Sequence, residues 1–296
     1  MRAPGPSPSL STLRKPRLLL AAVAVACAVL APPLAAAPAR RVVVLAPSAA
    51  EIVFALGAAD RVVGVSDFAA GLPGAEGKER LGGFVPDLER IAALAPDLAV
   101  VSRDGTDRRA AERLSALGVR VVVTDAASLD GVYADVRRVG AALGRAAEAE
   151  RIVDRMQRRV ALAEERVRLR RGARRPTALA VIWPDPPVVA GRATFVGDLL
   201  ERAGLDNVVP RSAGEWPRVS HETLVGWNPR LLVRPDTREN RAAFEAALAP
   251  ASRWQLLPAV RAGRVVVLDG DWLERPGPRL VDALEALVEE LRAGTP

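Results

Sequence analysis

The chain is poor in the side chains on which most enzyme chemistry rests. Its one cysteine, Cys27, falls in an N-terminal leader. The remainder therefore holds no disulfide framework, thiolate metal site or cysteine nucleophile. A single histidine, His221, cannot build a zinc site of the usual kind without a thiol or a second imidazole. The lone tyrosine, Tyr133, sits in a predicted helix remote from the strand ends, a poor place for a haem ligand. No glycine-rich phosphate loop is present. Ser48 follows Pro47 without a Gly-x-Ser-x-Gly elbow and reads as an ordinary helix start. An enzyme built on Ser48 and His221 is thus the weakest reading, and no catalytic residue, metal ligand or cofactor is assigned.

Lysine is nearly absent, with only Lys15 and Lys78 among mostly arginine cations. The net charge of +7 includes Arg2, Arg14, Lys15 and Arg17 of an acid-free leader, and setting those four aside leaves +3. No basic stripe with interleaved aromatics follows, which argues against nucleic acid as a partner. The apolar run from Leu18 to Ala31 is too short to span a bilayer. Basic residues before it and small residues from Ala36 to Ala39 after it predict a secretory signal peptide over residues 1–39. The periplasm is then the expected location. Val25-Ala26-Cys27 permits lipid attachment at Cys27 instead, although Ala24 and the further apolar sequence fit that poorly.

What remains is rich in apolar residues, half of the chain, and 296 residues give room for about two domains. Short apolar runs predict strands at 41–45, 62–65, 98–101 and 119–124, then at 178–182, 231–234 and 265–268. Helical patterns lie between them, at 51–56, 87–94, 108–117 and 129–143, then at 195–203, 222–226, 241–248 and 279–291. Strands alternating with helices predict parallel sheets covered on both faces.

Between the two series runs a longer pattern. Ala149, Ile152, Met156, Val160, Ala163 and Val167 form one stripe at helical spacing, with no Gly or Pro before Gly172. At ~1.5 Å per residue, a helix from Arg145 to Arg171 is roughly 40 Å long. The flanking sequences repeat each other. A shift of 133 residues lays Glu89, Ile91, Pro96, Leu98 and Val100 onto Glu222, Leu224, Pro229, Leu231 and Val233. A shift of 144 lays Arg120-Val-Val-Val-Thr-Asp125 onto Arg264-Val-Val-Val-Leu-Asp269. Gly57 and Gly204 also correspond, each closing a helix ahead of a Val-Val pair. The expected fold is α/β: two Rossmann-like lobes with parallel sheets, residues 40–144 and 173–296, joined by one long backbone helix at 145–172.

Ligands of parallel sheets bind beyond the carboxyl ends of the strands. That places Asp67-Phe68, Ser102-Arg103, Trp183-Pro184 and Asp271-Trp272 with Arg275 among the candidates. Phe84 and Trp216 stand just ahead of the Glu89 and Glu222 helices. In a chain only 4 % aromatic, Phe68, Phe84, Trp183, Trp216 and Trp272 are expected to face one cleft. Trp227 and Trp254 are expected in the core.

Val43-Val-Leu-Ala-Pro-Ser48 with Glu51, Arg61-Val-Val-Gly-Val65, and Leu88-Glu-Arg-Ile91 with Ala95-Pro-Asp-Leu98 resemble periplasmic binding proteins of the helical-backbone class. These serve ABC importers for cobalamin, siderophores and haem. Trp216-Pro-Arg-Val-Ser-His-Glu222 and Asp269-Gly-Asp-Trp-Leu-Glu-Arg-Pro-Gly-Pro-Arg279 are similar to the vitamin B12-binding branch. The resemblance implies a monomeric receptor that captures cobalamin or a related corrinoid between the lobes. It would hand the ligand to an inner-membrane permease dimer with its ATPase. Phe68, Phe84, Trp183, Trp216, Asp271 and Arg275 occupy cobalamin-contact positions by that likeness. Glu89 and Glu222 occupy the positions of paired glutamates that dock on permease arginines. The loop Ser66-Asp-Phe-Ala-Ala-Gly-Leu-Pro73 is less aromatic and acidic than in cobalamin binders, and Ser102 stands where an aromatic is expected. A ferric siderophore or haem, met by Arg103 and Arg275, stays open as the alternative ligand.

Overall fold

The structure, a computed structural model, describes residues 38–169 and 175–294 together with Met1 and Gly5. Cys27, the apolar run of the leader, and the expected helix end at Arg170–Gly172 lie outside the described residues. The first half runs β1 (Val42–Val44), α1 (Pro47–Ala55), β2 (Val62–Val65), β3 (Glu79–Arg80), α2 (Leu88–Ala93), β4 (Leu98–Ser102), α3 (Arg108–Ala116), β5 (Arg120–Thr124) and α4 (Leu129–Ala142). One helix, α5 (Ala146–Arg168), follows. The second half runs β6 (Thr177–Pro184), β7 (Pro187–Val189), α6 (Phe195–Arg202), β8 (Asp206–Asn207), α7 (His221–Trp227), β9 (Leu231–Asp236), α8 (Arg241–Leu248), α9 (Pro258–Arg261), β10 (Val265–Asp269), α10 (Gly270–Leu273) and α11 (Leu280–Ala293).

The first sheet has the order β3-β2-β1-β4-β5 and is parallel throughout. In the second, β6, β9 and β10 repeat the places of β1, β4 and β5, and β8 lies beside β6 as β2 lies beside β1. One strand departs from the expected all-parallel pattern. β7 pairs antiparallel with the carboxyl-terminal part of β6. Its three residues are too few to show a period, and Pro184-Asp-Pro-Pro187 ahead of them reads as a loop.

Equivalent positions in the two halves share their local physics. Asp87 caps α2 by accepting from the amides of Glu89 and Arg90, and Ser220 caps α7 by accepting from that of Thr223. Ala95 and Asn228, 133 residues apart, both take left-handed backbone angles, φ 45° and 46°, before Pro96 and Pro229. A proline cannot continue a helix, so each helix stops there with a reversed residue.

Alternation along the strands divides the core in three. Val42 and Val44, Leu98 and Val100, Ala178 and Ala180, Leu231 and Val233 all face one inner core shared by both sheets. Helices α1, α4, α5, α6 and α11 fill it. The α5 residues Ala149, Ile152, Val153, Met156, Val160 and Ala163 are buried there, on the stripe expected from the sequence. The outer face of the first sheet packs Val43, Leu45, Ala99 and Val101 against Ile91 and Leu114 of α2 and α3. That of the second packs Leu179, Val181 and Leu232 against Leu224, Phe244 and Trp254. Trp227 is half-buried against the same outer core.

Ion pairs seal the seam between the halves. Arg202 of α6 reaches Asp198 on its own helix, Glu164 of α5 and Asp130 of α4, each at 2.9 Å. Arg159 of α5 meets Asp282 and Glu285 of α11, both at 2.6 Å.

Candidate ligand-binding cleft

Parallel strands end together, so the loops after them converge. From the first half come Ala46-Pro47-Ser48 after β1, Ser102–Gly105 after β4, and Asp125-Ala126 after β5. From the second come Ile182 of β6, Val188 of β7, Phe195 at the start of α6, Trp216, and Leu273–Pro276. Together they enclose a cavity of about 360 Å³ between the two sheets.

Its second-half wall is aromatic. The rings of Phe195 and Trp216 lie 5.6 Å apart, tilted by 60°, within the range where aromatic pairs attract. The first-half wall is charged. Arg103 pairs with Asp125 at 2.9 Å, Asp104 at 3.0 Å and Glu215 of the other half at 3.2 Å. The hydrogen bond to Asp104 raises the guanidinium further above its ordinary value, so Arg103 is a fixed cation. Arg275 pairs with Asp271 at 2.9 Å, and its Nη1 is buried with no hydrogen-bond partner among the described residues. A buried donor left unpaired costs roughly 1–3 kcal/mol, which a ligand acceptor placed there would recover.

The structure brings one of the five expected cleft aromatics to this cavity. Of these, Trp216 alone lines the cavity. Trp272 packs against the inner core. Phe68, Phe84 and Trp183 are 59 %, 51 % and 38 % exposed. They lie close to the cavity in the chain without lining it. Phe68 packs over Gly83, where an added Cβ would meet its ring at 3.2 Å. The Phe84 carbonyl accepts from the amide of Asp107, just past the cavity loop. Trp183 follows Ile182 and donates from its indole to the Asp185 carbonyl at 2.8 Å. Asp271 does not line the cavity either, and instead holds Arg275. Arg275, Ser102 and Arg103 do line it. Sequence reasoning missed Phe195, Ile182, Val188 and Asp125. Phe195 was legible in part, because Thr194 marks a helix start in the loop after β7.

Ser48 lines the cavity, but the His221 ring packs edge-on against Trp254 at 5.5 Å in the outer core of the second half. Tyr133 is buried in α4, and burial pushes its phenol up to about 12. Among the described residues no three His, Cys, Asp or Glu side chains cluster as metal ligands. Nor is any described helix long and apolar enough to cross a membrane. Glu89 and Glu222 are exposed in the first turns of α2 and α7. Hydrogen bonds from its own amide and from the Ser220 hydroxyl hold the Glu222 carboxyl below the ordinary range.

Residues 42–272 match the family described as periplasmic binding protein. The chain belongs to that family. A cobalamin-binding protein of Halobacterium salinarum is 31 % identical over 252 residues, 83 % of this chain and 67 % of that one. A vitamin B12-binding protein of Pectobacterium carotovorum is 28 % identical over 261 residues, 87 % of this chain and 90 % of that one. Among solved structures, a periplasmic haem-binding protein from Pseudomonas aeruginosa superposes with a TM-score of 0.76 at 27 % identity, covering 86 % of this chain and 94 % of that one. Members of the family are substrate-binding components of ABC transport systems that work outside the cytoplasm.

Proposed function

We propose that the protein captures cobalamin in the cleft between its two sheets and delivers it to an ABC importer. The observation that carries this reading is the Phe195–Trp216 wall set into an inter-sheet cavity. A corrin ring is broad and flat, and an indole face buried against it contributes a few kcal/mol. A corrin with its amide arms is larger than the cavity, so Phe68, Phe84 and Trp183 would meet the part that stands outside. The relatives named for cobalamin support the choice. No step of chemistry on the ligand is assigned. The receptor works as a monomer in the periplasm, after loss of a leader over residues 1–39.

A second reading, haem or a ferric siderophore, draws on Arg103 and on the unpaired Nη1 of Arg275, which suit a carboxylate. Calorimetry of the purified chain against cyanocobalamin, haemin and a ferric siderophore separates the two. Heat with cyanocobalamin alone is the expected result. Heat with haemin or the siderophore alone reverses the ranking.

Glu89 and Glu222 are proposed as the docking pair for the permease dimer. They stand at equivalent points of the two halves, outside the cleft, and a dimeric partner offers two equivalent surfaces. Exposed charges of this kind steer and orient an encounter. Glu89→Arg with Glu222→Arg should leave ligand affinity unchanged and abolish stimulation of the transporter's ATPase in proteoliposomes. Normal stimulation by the folded double variant would sink the assignment.

A further inference from the structure

Arg275 reaches the cavity from a segment whose first part is held within its own half, where Asp269 caps α10 by accepting from the Asp271 amide and Asn240 donates to Glu274 at 3.3 Å. Residues 270–279 run from the end of β10 to the start of α11, and Leu273 to Pro276 line the cavity. The helix that closes this loop, α11, has no side chain of its own half capping its first turn. The acceptor comes from the other half. Glu51, in α1, takes a hydrogen bond from the backbone amide of Arg279 at 2.9 Å, across 228 residues of sequence. Its second oxygen lies 3.5 Å from the Arg279 guanidinium. A carboxylate at a helix amino terminus also meets the positive end of the helix dipole.

The approach is close enough to select a residue on the other side. A Cβ at Gly277 would stand 2.7 Å from Oε1 of Glu51 and 2.9 Å from its carboxyl carbon. From Arg279 the contacts continue inward. Its guanidinium lies 3.5 Å from Asp271, and Asp271 pairs with Arg275 at 2.9 Å. A chain of four charges, Glu51–Arg279–Asp271–Arg275, thus runs from the seam to the cavity. Glu51 does not line the cavity, and its side chain is only 10 % exposed. Burying a carboxylate is costly unless its partners compensate. Only the loop offers this one partners, and its Oε2 is buried without a hydrogen bond among the described residues.

We propose that Glu51 is a positioning residue for the ligand site: by capping α11 from the opposite half it fixes the 270–279 loop and sets Arg275 in the cleft. The inference rests on the reading of this cavity as the ligand site.

The test uses Glu51→Ala, Glu51→Gln and Gly277→Ala, each checked for folding by thermal melting. Two properties are then read: hydrogen–deuterium exchange of residues 270–283 without ligand, and affinity for cyanocobalamin. Glu51→Ala should speed exchange there at least tenfold, leave residues 125–128 unchanged, and weaken binding at least tenfold. Glu51→Gln keeps a carbonyl acceptor for the Arg279 amide and should recover most of both. Gly277→Ala displaces the carboxylate without altering it and should reproduce the alanine result. It decides the matter if Glu51→Ala does not fold. Unchanged exchange and affinity in folded Glu51→Ala and Gly277→Ala would overturn the proposal. If the unaltered chain binds no cyanocobalamin, the cobalamin reading fails, while exchange at 270–283 still decides whether Glu51 holds the loop.

Discussion

Two loops with nearly the same sequence ahead of them share one restraint across the seam and differ in those within their own halves. Strands β5 and β10 carry Arg-Val-Val-Val-Thr-Asp125 and Arg-Val-Val-Val-Leu-Asp269, occupy the same edge of their sheets, and lead into the cleft. After β5, the Asp125 amide donates to the carboxylate of Asp135 at 2.9 Å, and Arg138 reaches the same carboxylate at 2.7 Å. All of these groups lie in the first half. After β10, the decisive acceptor is Glu51, from the other half. The Leu129 amide at the start of α4 in turn donates to Asp198 of the second half at 2.9 Å. Both loops therefore lead into a helix whose amino end is held across the seam, and the first loop has Asp135 as a further anchor within its own half.

The largest expected effect comes from removing the first loop's anchor within its own half. Asp135 has a side chain only 3 % exposed, and Asp135→Ala leaves the partly buried Asp125 amide without its acceptor. A loss of about 2 kcal/mol in guanidinium unfolding is expected. A milder change sharpens the point through pH. Burial raises the Asp135 carboxyl above its ordinary value, so the folded chain holds that proton more tightly than the unfolded chain does. The resulting stability is present at low pH and is lost as pH climbs from about 3.9 through the raised folded value. Unfolding titrations should show that fall in the unaltered chain and a flatter profile in Asp135→Asn.

Next in size is the test of which half supplies the binding energy. Trp216→Ala should weaken cyanocobalamin binding at least tenfold, about 1.4 kcal/mol. Arg103→Ala should change it less than threefold, because Asp104, Asp125 and Glu215 already hold that cation. Calorimetry of the two variants side by side reads the contrast, and the reverse order would move the wall to the first half.

The smallest effects probe where the repeat is imperfect. Ala95 and Asn228 share a left-handed conformation that costs an ordinary L-residue roughly 1–2 kcal/mol, less for asparagine. Ala95→Gly should raise stability by about 1 kcal/mol in thermal melts, and Asn228→Gly by only a few tenths. Equal gains at both sites would mean that the two helix ends are not physically equivalent.

Nearly every strand and helix was legible in the sequence, because each rests on a local period. The spine followed from the stripe Ala149, Ile152, Met156, Val160 and Ala163, and the shifts of 133 and 144 paired α2 with α7, β4 with β9 and β5 with β10. The short strands β3, β7 and β8 were not legible, since two or three residues carry no period and only a neighbour makes them strands. Site residues divided in the same way. Being near the end of a strand is a local property, so Ser102, Arg103 and Arg275 could be named. Facing the cavity is not, so Phe68, Phe84, Trp183 and Trp272 were placed with Trp216 although only Trp216 of the five lines it. Asp135 and Glu51 read as ordinary helical carboxylates. Sequence alone determined the elements, their order and their repetition, through hydrophobic spacing and turn residues acting over a few positions. Only the tertiary structure decided that Asp135 stays within its half while Glu51 crosses the seam, because both depend on which buried amide the fold brings within 3 Å of a carboxylate.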